Sequence, residues 1–364
     1  MVETKLLIAQ LQRLGDIGSG RDSKILLDKN ERTIPYPDAV VSDIYKSISP
    51  IELTRYPDQT PLYEKLSAFL GISPKNLLLS NGADGALKIL FDTFLGSDDE
   101  IVCPDPTYAM INVYAQMFGC QKKVISFNEH LQLDFDSLLA SISKRTKSVI
   151  LPNPNQPTGT VLQPQEIIQL MELTAEHDVL LILDEAYIEF SNQTSSVKLL
   201  SRYPNLCVLR TFSKAWGLAG LRLGFLAASE ELIQQLKKVK TLLDINLVAI
   251  KAACYLIDNY FLVEEYVDEI TRSRDWMVSS LRACQIDVIS SATNFIHVRP
   301  GPRVNRPGVE NALQQKGYLV RSAGGTASIL DGCIRVTVGP TKQMQPLVDT
   351  LIELLQPPKP VIPR

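Results

Sequence analysis

The sequence predicts an α/β fold, with a large part built on a mostly parallel sheet and a smaller α+β part after it. Three observations carry this. Seven short Val/Ile/Leu-rich runs recur between residues 76 and 228. Helix-like stretches lie between most of them. After about residue 230 the pattern changes to long helices and then isolated short strands. Continuous apolar runs, rather than strict alternation, suit strands covered by helices on both faces.

Taken in order, residues 1–14 read as a short amphipathic helix, with Leu6, Leu7, Ala9, Leu11 and Leu14 among polar residues. Gly15 to Ser23 is a turn-rich link, and Lys24 to Asp28 a strand. The sheet strands are expected at 76–80, 100–104, 122–127, 148–152, 179–185, 206–211 and 223–228, with helices at 82–95, 107–118, 135–143, 164–177 and 215–220. Residues 230–283 read as long helices, first LIQQLKKVKTLL and then VEEYVDEITRSRDWMVSSLRA. Strands near 293–298 and 333–338, and helices near 307–316 and 342–355, complete the smaller part. The Pro-rich PPKPVIPR is expected to lack regular structure. The implied division is 1–45 as an arm with part of the small domain, 46–245 as the large domain, and 246–364 as the small domain.

Composition removes several function classes. The net charge of −3 offers no basic excess to hold nucleic acid or an anionic membrane surface. Six scattered cysteines without a C-x-x-C pair, and three histidines, supply neither a disulfide framework nor metal-ligand spacing. Reduced thiols in a cytoplasmic protein are the expectation. The charged MVETKLLIAQLQRLGD shows no signal-peptide core, and no apolar run approaches the roughly 18 residues that span a bilayer.

Four segments point to chemistry. In LRTFSKAWGLAGLRLGF, a strand runs into Thr211, Ser213 and Lys214, and Arg222 follows eight residues after the lysine. A lone lysine is usually a solvated surface charge. This one sits between an apolar strand and a Gly-rich turn, with hydroxyl and guanidinium donors that suit a phosphate. A lysine that forms a Schiff base needs that fixed position and a neighbouring anion clamp. In LILDEAYIEF, Asp184 ends a buried strand, which is costly without a partner. A pyridinium N–H would be one, and a helix N-cap is the plainer alternative. Tyr187, three residues on, could reach a ring hydroxyl. PNPNQPTGT (152–160) is a Pro/Gly-shaped turn that could aim an amide side chain. LSNGADGALKIL (79–90) is a strand-to-helix turn whose backbone N–H groups make an anion site.

Together these segments resemble the fold type I pyridoxal 5′-phosphate (PLP) enzymes, which have the aspartate aminotransferase-like fold, and within them the histidinol-phosphate aminotransferase branch. The most specific stretches are DEAYIEF and LRT-x-SKA-x-x-LAGLR-x-GF, and the likeness runs from about residue 25 to 355. The resemblance implies that Lys214 binds the cofactor as a Schiff base and moves the substrate proton. It implies Asp184 on the pyridine nitrogen, Tyr187 on O3′, and Tyr108 (in PDPTYAM) stacked on the ring. Backbone groups of Ala83 and Asp84, with Thr211, Ser213 and Arg222, would hold the phosphate. Tyr56 (in RYPDQ) would reach the cofactor of a neighbouring subunit, which requires a homodimer. Arg335 (in CIRVTVG) and Arg321 (in LVRS) would bind the substrate anion.

Two departures from the family pattern stand out. The family loop reads Asn-Asn-Pro-Thr-Gly, and its second Asn bonds O3′; here that position is Gln156, preceded by Asn155. Either Gln156 keeps the bond with a shifted backbone or Asn155 takes it over. The family's N-terminal Pro-Tyr motif is not found before Gly15, although Asn30 and Glu31 match its Asn-Glu, which makes Asn30 a candidate substrate contact. The expected activity is transamination between a small-molecule amine or amino acid and 2-oxoglutarate, with histidinol phosphate the first candidate. A PLP-dependent lyase, decarboxylase or cyclase on the same scaffold is the alternative.

Overall fold

A computed structural model describes residues 6–9, 11, 21, 23–301, 304–323 and 328–356. Its centre is a seven-stranded sheet. The spatial order is Leu77–Ser80, Gly224–Ala228, Leu206–Thr211, Leu180–Asp184, Thr146–Pro152, Glu100–Asp105 and Gln121–Ser126. Only Gly224–Ala228 runs antiparallel to its neighbours. Alternate residues of one strand serve opposite cores: Leu181 and Leu183 join one apolar cluster, and Ile182 the other. That two-sided burial is why the runs read as continuously apolar.

Helices Gly82–Phe94, Ala109–Phe118, Phe135–Ser141 and Pro164–Glu176 stand within two residues of expectation at either end. The last opens with Pro164 and a reciprocal Gln163–Glu166 capping box, which satisfies backbone N–H groups that the helix itself leaves unpaired. The helix expected at 215–220 is a correction: only a 3₁₀ turn, Ala219–Leu221, forms there. Gly217 at φ 64° and Arg222 at φ 54° turn the chain back on itself, which a helix cannot do. The helix expected from Leu232 to Leu243 spans Glu230–Lys237, and Leu242 and Leu243 lie exposed in the turn beyond it.

A second, four-stranded antiparallel sheet has the order Arg321–Ser322, Ile334–Thr337, Phe295–Arg299, Asp287–Ile289. The 23-residue helix Phe261–Ala283 and the closing helix Thr341–Leu355 pack together beside it. The long helix buries Tyr266, Ile270, Met277 and Leu281, the spacing of one helical face. Ile25–Leu26 pairs in parallel with Tyr318–Leu319, and Leu27 is hydrogen-bonded on both sides, by its N–H to Leu319 and by its carbonyl to the Thr337 N–H. This stitching carries Asp28, Lys29 and Asn30 to the edge of the central sheet. Of the expected N-terminal helix, Leu6–Ala9 is helical; residues 1–5, 10 and 12–14 lie outside the described residues, as do most of the 15–23 link and PPKPVIPR.

Candidate active site

Parallel strands end in register at one edge of the central sheet. Pro152 pairs with Asp184, and Asp184 with Leu209. In open α/β sheets this carboxyl edge is where ligands bind. A cleft of about 580 Å³, counting its open mouth, lies there. Its walls include ten expected site residues: Ala83, Asp84, Tyr108, Gln156, Asp184, Tyr187, Thr211, Ser213, Lys214 and Arg222. Residues more than a hundred apart in sequence therefore meet at one cavity.

One end of the cleft is built for an anion. Gly82–Phe94 starts there, and its N-cap Asn81 makes no side-chain cap bond, so its first N–H groups face the cavity without helical acceptors. Ser213 is buried, and its hydroxyl accepts from Arg222 Nη1 at 3.5 Å. The backbone packs so tightly that side chains are excluded. A Cβ on Gly224 would stand 2.6 Å from the Gly82 carbonyl carbon, and one on Gly82 would stand 2.8 Å from Arg222 Nη2.

Asp184 lies at the other end. Its Oδ1 accepts from the Ala186 N–H at 3.1 Å. No α-helix follows for it to cap, only a 3₁₀ turn at Ile188–Phe190. Burial, with Asp84 and Glu185 adding to it, pushes its carboxyl up to about 7. A hydrogen-bonded cation would relieve that burial. Lys214 Nζ donates to the Lys29 carbonyl at 2.9 Å and sits 5.7 Å from the centre of the Tyr187 ring. The Tyr187 hydroxyl accepts from Asn30 Nδ2 at 2.9 Å. Burial raises the Tyr108 phenol, and Asp84, to which its hydroxyl donates at 2.5 Å, adds to the effect.

The structure separates the two candidate amides of the loop. Asn155 does not line the cleft; its Nδ2 is held by the Pro106 carbonyl and Thr158 Oγ1. Gln156 does line it; among the described residues its Oε1 is buried with no partner, as is Asn155 Oδ1. Asn30 is buried, and its polar groups are spent internally on Thr337, Tyr187 and Asn294. Tyr56 stands away from the cleft and is 79% exposed.

Arg335 and Arg321 face each other across adjacent strands of the smaller sheet. Arg335 is buried, donates from Nη2 to the Asp28 carbonyl at 2.7 Å, and lies 5.4 Å from the Phe295 ring. Burial pushes its guanidinium down to about 10, with Arg321 adding to the effect. Arg321 is exposed. Sequence reasoning missed the backbone of Asp28 and Lys29, which holds Arg335 and Lys214. It also missed the network behind Asp184, where buried Arg210 pairs with Glu189 at 2.5 Å and Trp216 Nε1 donates to the same carboxylate. The signal was available: three charged residues, Glu185, Glu189 and Arg210, stand in otherwise apolar segments.

Residues 22–351 match the family model of the class I and II aminotransferases. The chain belongs to that family. It is 31% identical over 355 residues to the histidinol-phosphate aminotransferase of Sulfurisphaera tokodaii, covering 96% of this chain and 95% of the relative. It is 34% identical to that of Escherichia coli O45:K1, covering 91% of each. In fold it resembles the crystal structure of a Sinorhizobium meliloti histidinol-phosphate aminotransferase in complex with PLP. The TM-score there is 0.85 over 98% of each chain, at 23% identity. The fold is thus aspartate aminotransferase-like, and the aminotransferase is PLP-dependent. Transamination is favoured over the lyase, decarboxylase and cyclase alternatives. The cleft fits the cofactor: Ala83, Asp84, Thr211, Ser213 and Arg222 meet at one end as donors for a phosphate, and among the described residues Asp184 makes no ion pair and the buried Gln156 Oε1 has no donor.

Proposed function

We propose that this aminotransferase takes its amino group from histidinol phosphate and passes it to 2-oxoglutarate. The observation that carries this reading is the direct pairing of Arg321 with Arg335. Like charges opposite each other on neighbouring strands repel, and an anion between them removes the penalty. A phosphomonoester suits two guanidiniums. The relatives named above act on the same substrate by name, which supports the reading.

When bound, PLP supplies an electrophilic carbon and a protonated ring that withdraws electrons. Asp184 would hold the ring N–H with its carboxylate. Tyr187 and Gln156 would bond the ring hydroxyl, and Tyr108 would cover one ring face. The Ala83 and Asp84 N–H groups with Thr211, Ser213 and Arg222 would hold the phosphate. Lys214 would hold the cofactor through its Nζ, and once freed by the substrate amine that Nζ would take the proton from the substrate Cα. Arg335 and Arg321 would orient the substrate through its phosphate. The Lys29 carbonyl gives the free Lys214 amine a fixed resting place.

Two exposed apolar stretches support a homodimer. Val41, Tyr45, Ile51, Leu53 and Tyr56 form one, and Val239, Leu242 and Leu243 the other. In that assembly Tyr56 would reach the partner's phosphate pocket. The six free thiols suit the cytoplasm. Residues 46–245 would form the large domain, with 1–45 and 246–364 contributing the small one. The test is glutamate formation from 2-oxoglutarate with histidinol phosphate, histidinol and common amino acids as donors. The reading requires histidinol phosphate to lead in kcat/KM. A common amino acid in first place, or release of carbon dioxide in place of glutamate, would sink it.

A further inference from the structure

The row that begins with Arg321 and Arg335 does not stop there. In the next strand, His297 pairs directly with Arg335. Arg321, Arg335 and His297 therefore stand in line across three strands and share one face of the smaller sheet. Phe295 lies on the same face. Its ring is 5.5 Å from the His297 ring and 5.7 Å from the Tyr187 ring, and the Arg335 guanidinium carbon is 5.4 Å from it. The row thus reaches the cleft through Phe295 and Tyr187.

His297 has no exposed surface, and among the described residues neither ring nitrogen has a hydrogen-bond partner. Arg335 Nε is also buried and unpartnered. Buried polar groups in this state are rare and call for a reason. Here the two lie on paired residues of adjacent strands, and their chemistry is complementary. A neutral imidazole offers one lone pair, and an Arg Nε–H can only donate. The ring is neutral because burial, with Arg335 and Arg299 beside it, pushes it down to about 3. A charged residue at 297 would either repel Arg335 or neutralise it. An aliphatic one could offer Nε no acceptor even after the guanidinium or the ring reorients.

We propose that His297 is a positioning residue for substrate recognition: its ring nitrogen accepts the Arg335 Nε–H in the substrate-loaded enzyme and holds the guanidinium's Nη edge toward the substrate phosphate. The inference rests on the assignment of Arg335 to the substrate anion. It adds a residue that makes the anion contact directional and so sets how strongly a phosphorylated amine is preferred over its dephosphorylated form.

The test uses the PLP-loaded enzyme and compares kcat/KM for histidinol phosphate and histidinol. His297→Leu removes the acceptor and lowers the ratio of the two by about tenfold, the size of one charge-assisted hydrogen bond. His297→Gln supplies an amide oxygen and restores the ratio to within about twofold. Arg335→Lys lowers the ratio as well. If His297→Leu leaves the ratio unchanged while Arg335→Lys lowers it, His297 has no positioning role and the Arg335 assignment survives. Lowered thermal stability in both His297 variants at an unchanged ratio likewise overturns the positioning role and leaves a purely structural histidine. An unchanged ratio in Arg335→Lys overturns both.

Discussion

At the scale of single residues, charge and burial make the sharpest demands. In the cofactor-free protein the Asp184 carboxyl is raised from 3.8 to about 7. A carboxyl with a folded-state pKa above its unfolded value is protonated preferentially in the folded chain. It therefore costs stability as pH rises through that window, and the cost is complete above about 7. Asp184→Asn should stabilise the cofactor-free protein by about 1–4 kcal/mol near pH 8 and by much less near pH 4. Urea denaturation at the two pH values checks this, and a difference independent of pH would contradict it. With PLP bound the sign of the benefit should reverse, because in the proposed site a ring N–H would pair with the carboxylate. The same substitution should lower kcat by about 10²–10³-fold. Glu189→Gln breaks the buried pair with Arg210 and should cost about 3–5 kcal/mol in the same denaturation measurement.

At the scale of elements, the phosphate end depends on backbones in close contact. Gly224→Ala places a methyl 2.6 Å from the Gly82 carbonyl carbon, so the strand or the helix start must shift. We expect a loss of about 1–3 kcal/mol in stability, together with PLP dissociation that is measurably faster by fluorescence. Wild-type PLP retention in this variant would show that the corner is not the anion site. Six of the seven strands were legible because they are largely buried, which leaves apolar runs; the edge strand Gln121–Ser126 is mostly exposed and was legible only from its Val124–Ile125 core. Lys214, Asp184 and Arg222 were legible because charged residues end or follow such runs. The segment 215–220 misled because its apolar residues mimic a helical stretch, while Gly217 forces a turn. The helix Leu247–Asp258 was not separated from its neighbours, since no Pro or Gly marks its ends. Which amide of 152–160 reaches the cleft is set by side-chain direction, which composition does not carry. The row of Arg321, Arg335 and His297 depends on register between strands distant in sequence, so only the folded structure displays it.

At the scale of the whole molecule, the proposed site joins three stretches of chain. The central sheet provides the cleft, the smaller sheet provides Arg335, and the Asp28–Asn30 segment holds Lys214, Arg335 and Tyr187 by hydrogen bonds. The exposed Tyr56 lies outside this arrangement, and in the proposed homodimer it would join the site from a second copy of the chain. Leu53→Arg combined with Leu242→Arg should convert a dimer to a monomer in sedimentation and abolish most activity. Mixing inactive Lys214→Ala subunits with Tyr56→Ala subunits should restore about a quarter of wild-type activity, since half the dimers would then contain one intact site. No recovery on mixing, with subunit exchange verified, would mean that Tyr56 serves its own chain or no site at all.

The central claim is that Lys214 carries the cofactor. Reduction of the purified PLP-loaded enzyme with borohydride, followed by proteolysis and mass spectrometry, tests it most directly. The expected result is a phosphopyridoxyl group on Lys214 and on no other lysine, absent in Lys214→Ala. A modified lysine elsewhere, or wild-type protein that takes up no PLP, would contradict the account.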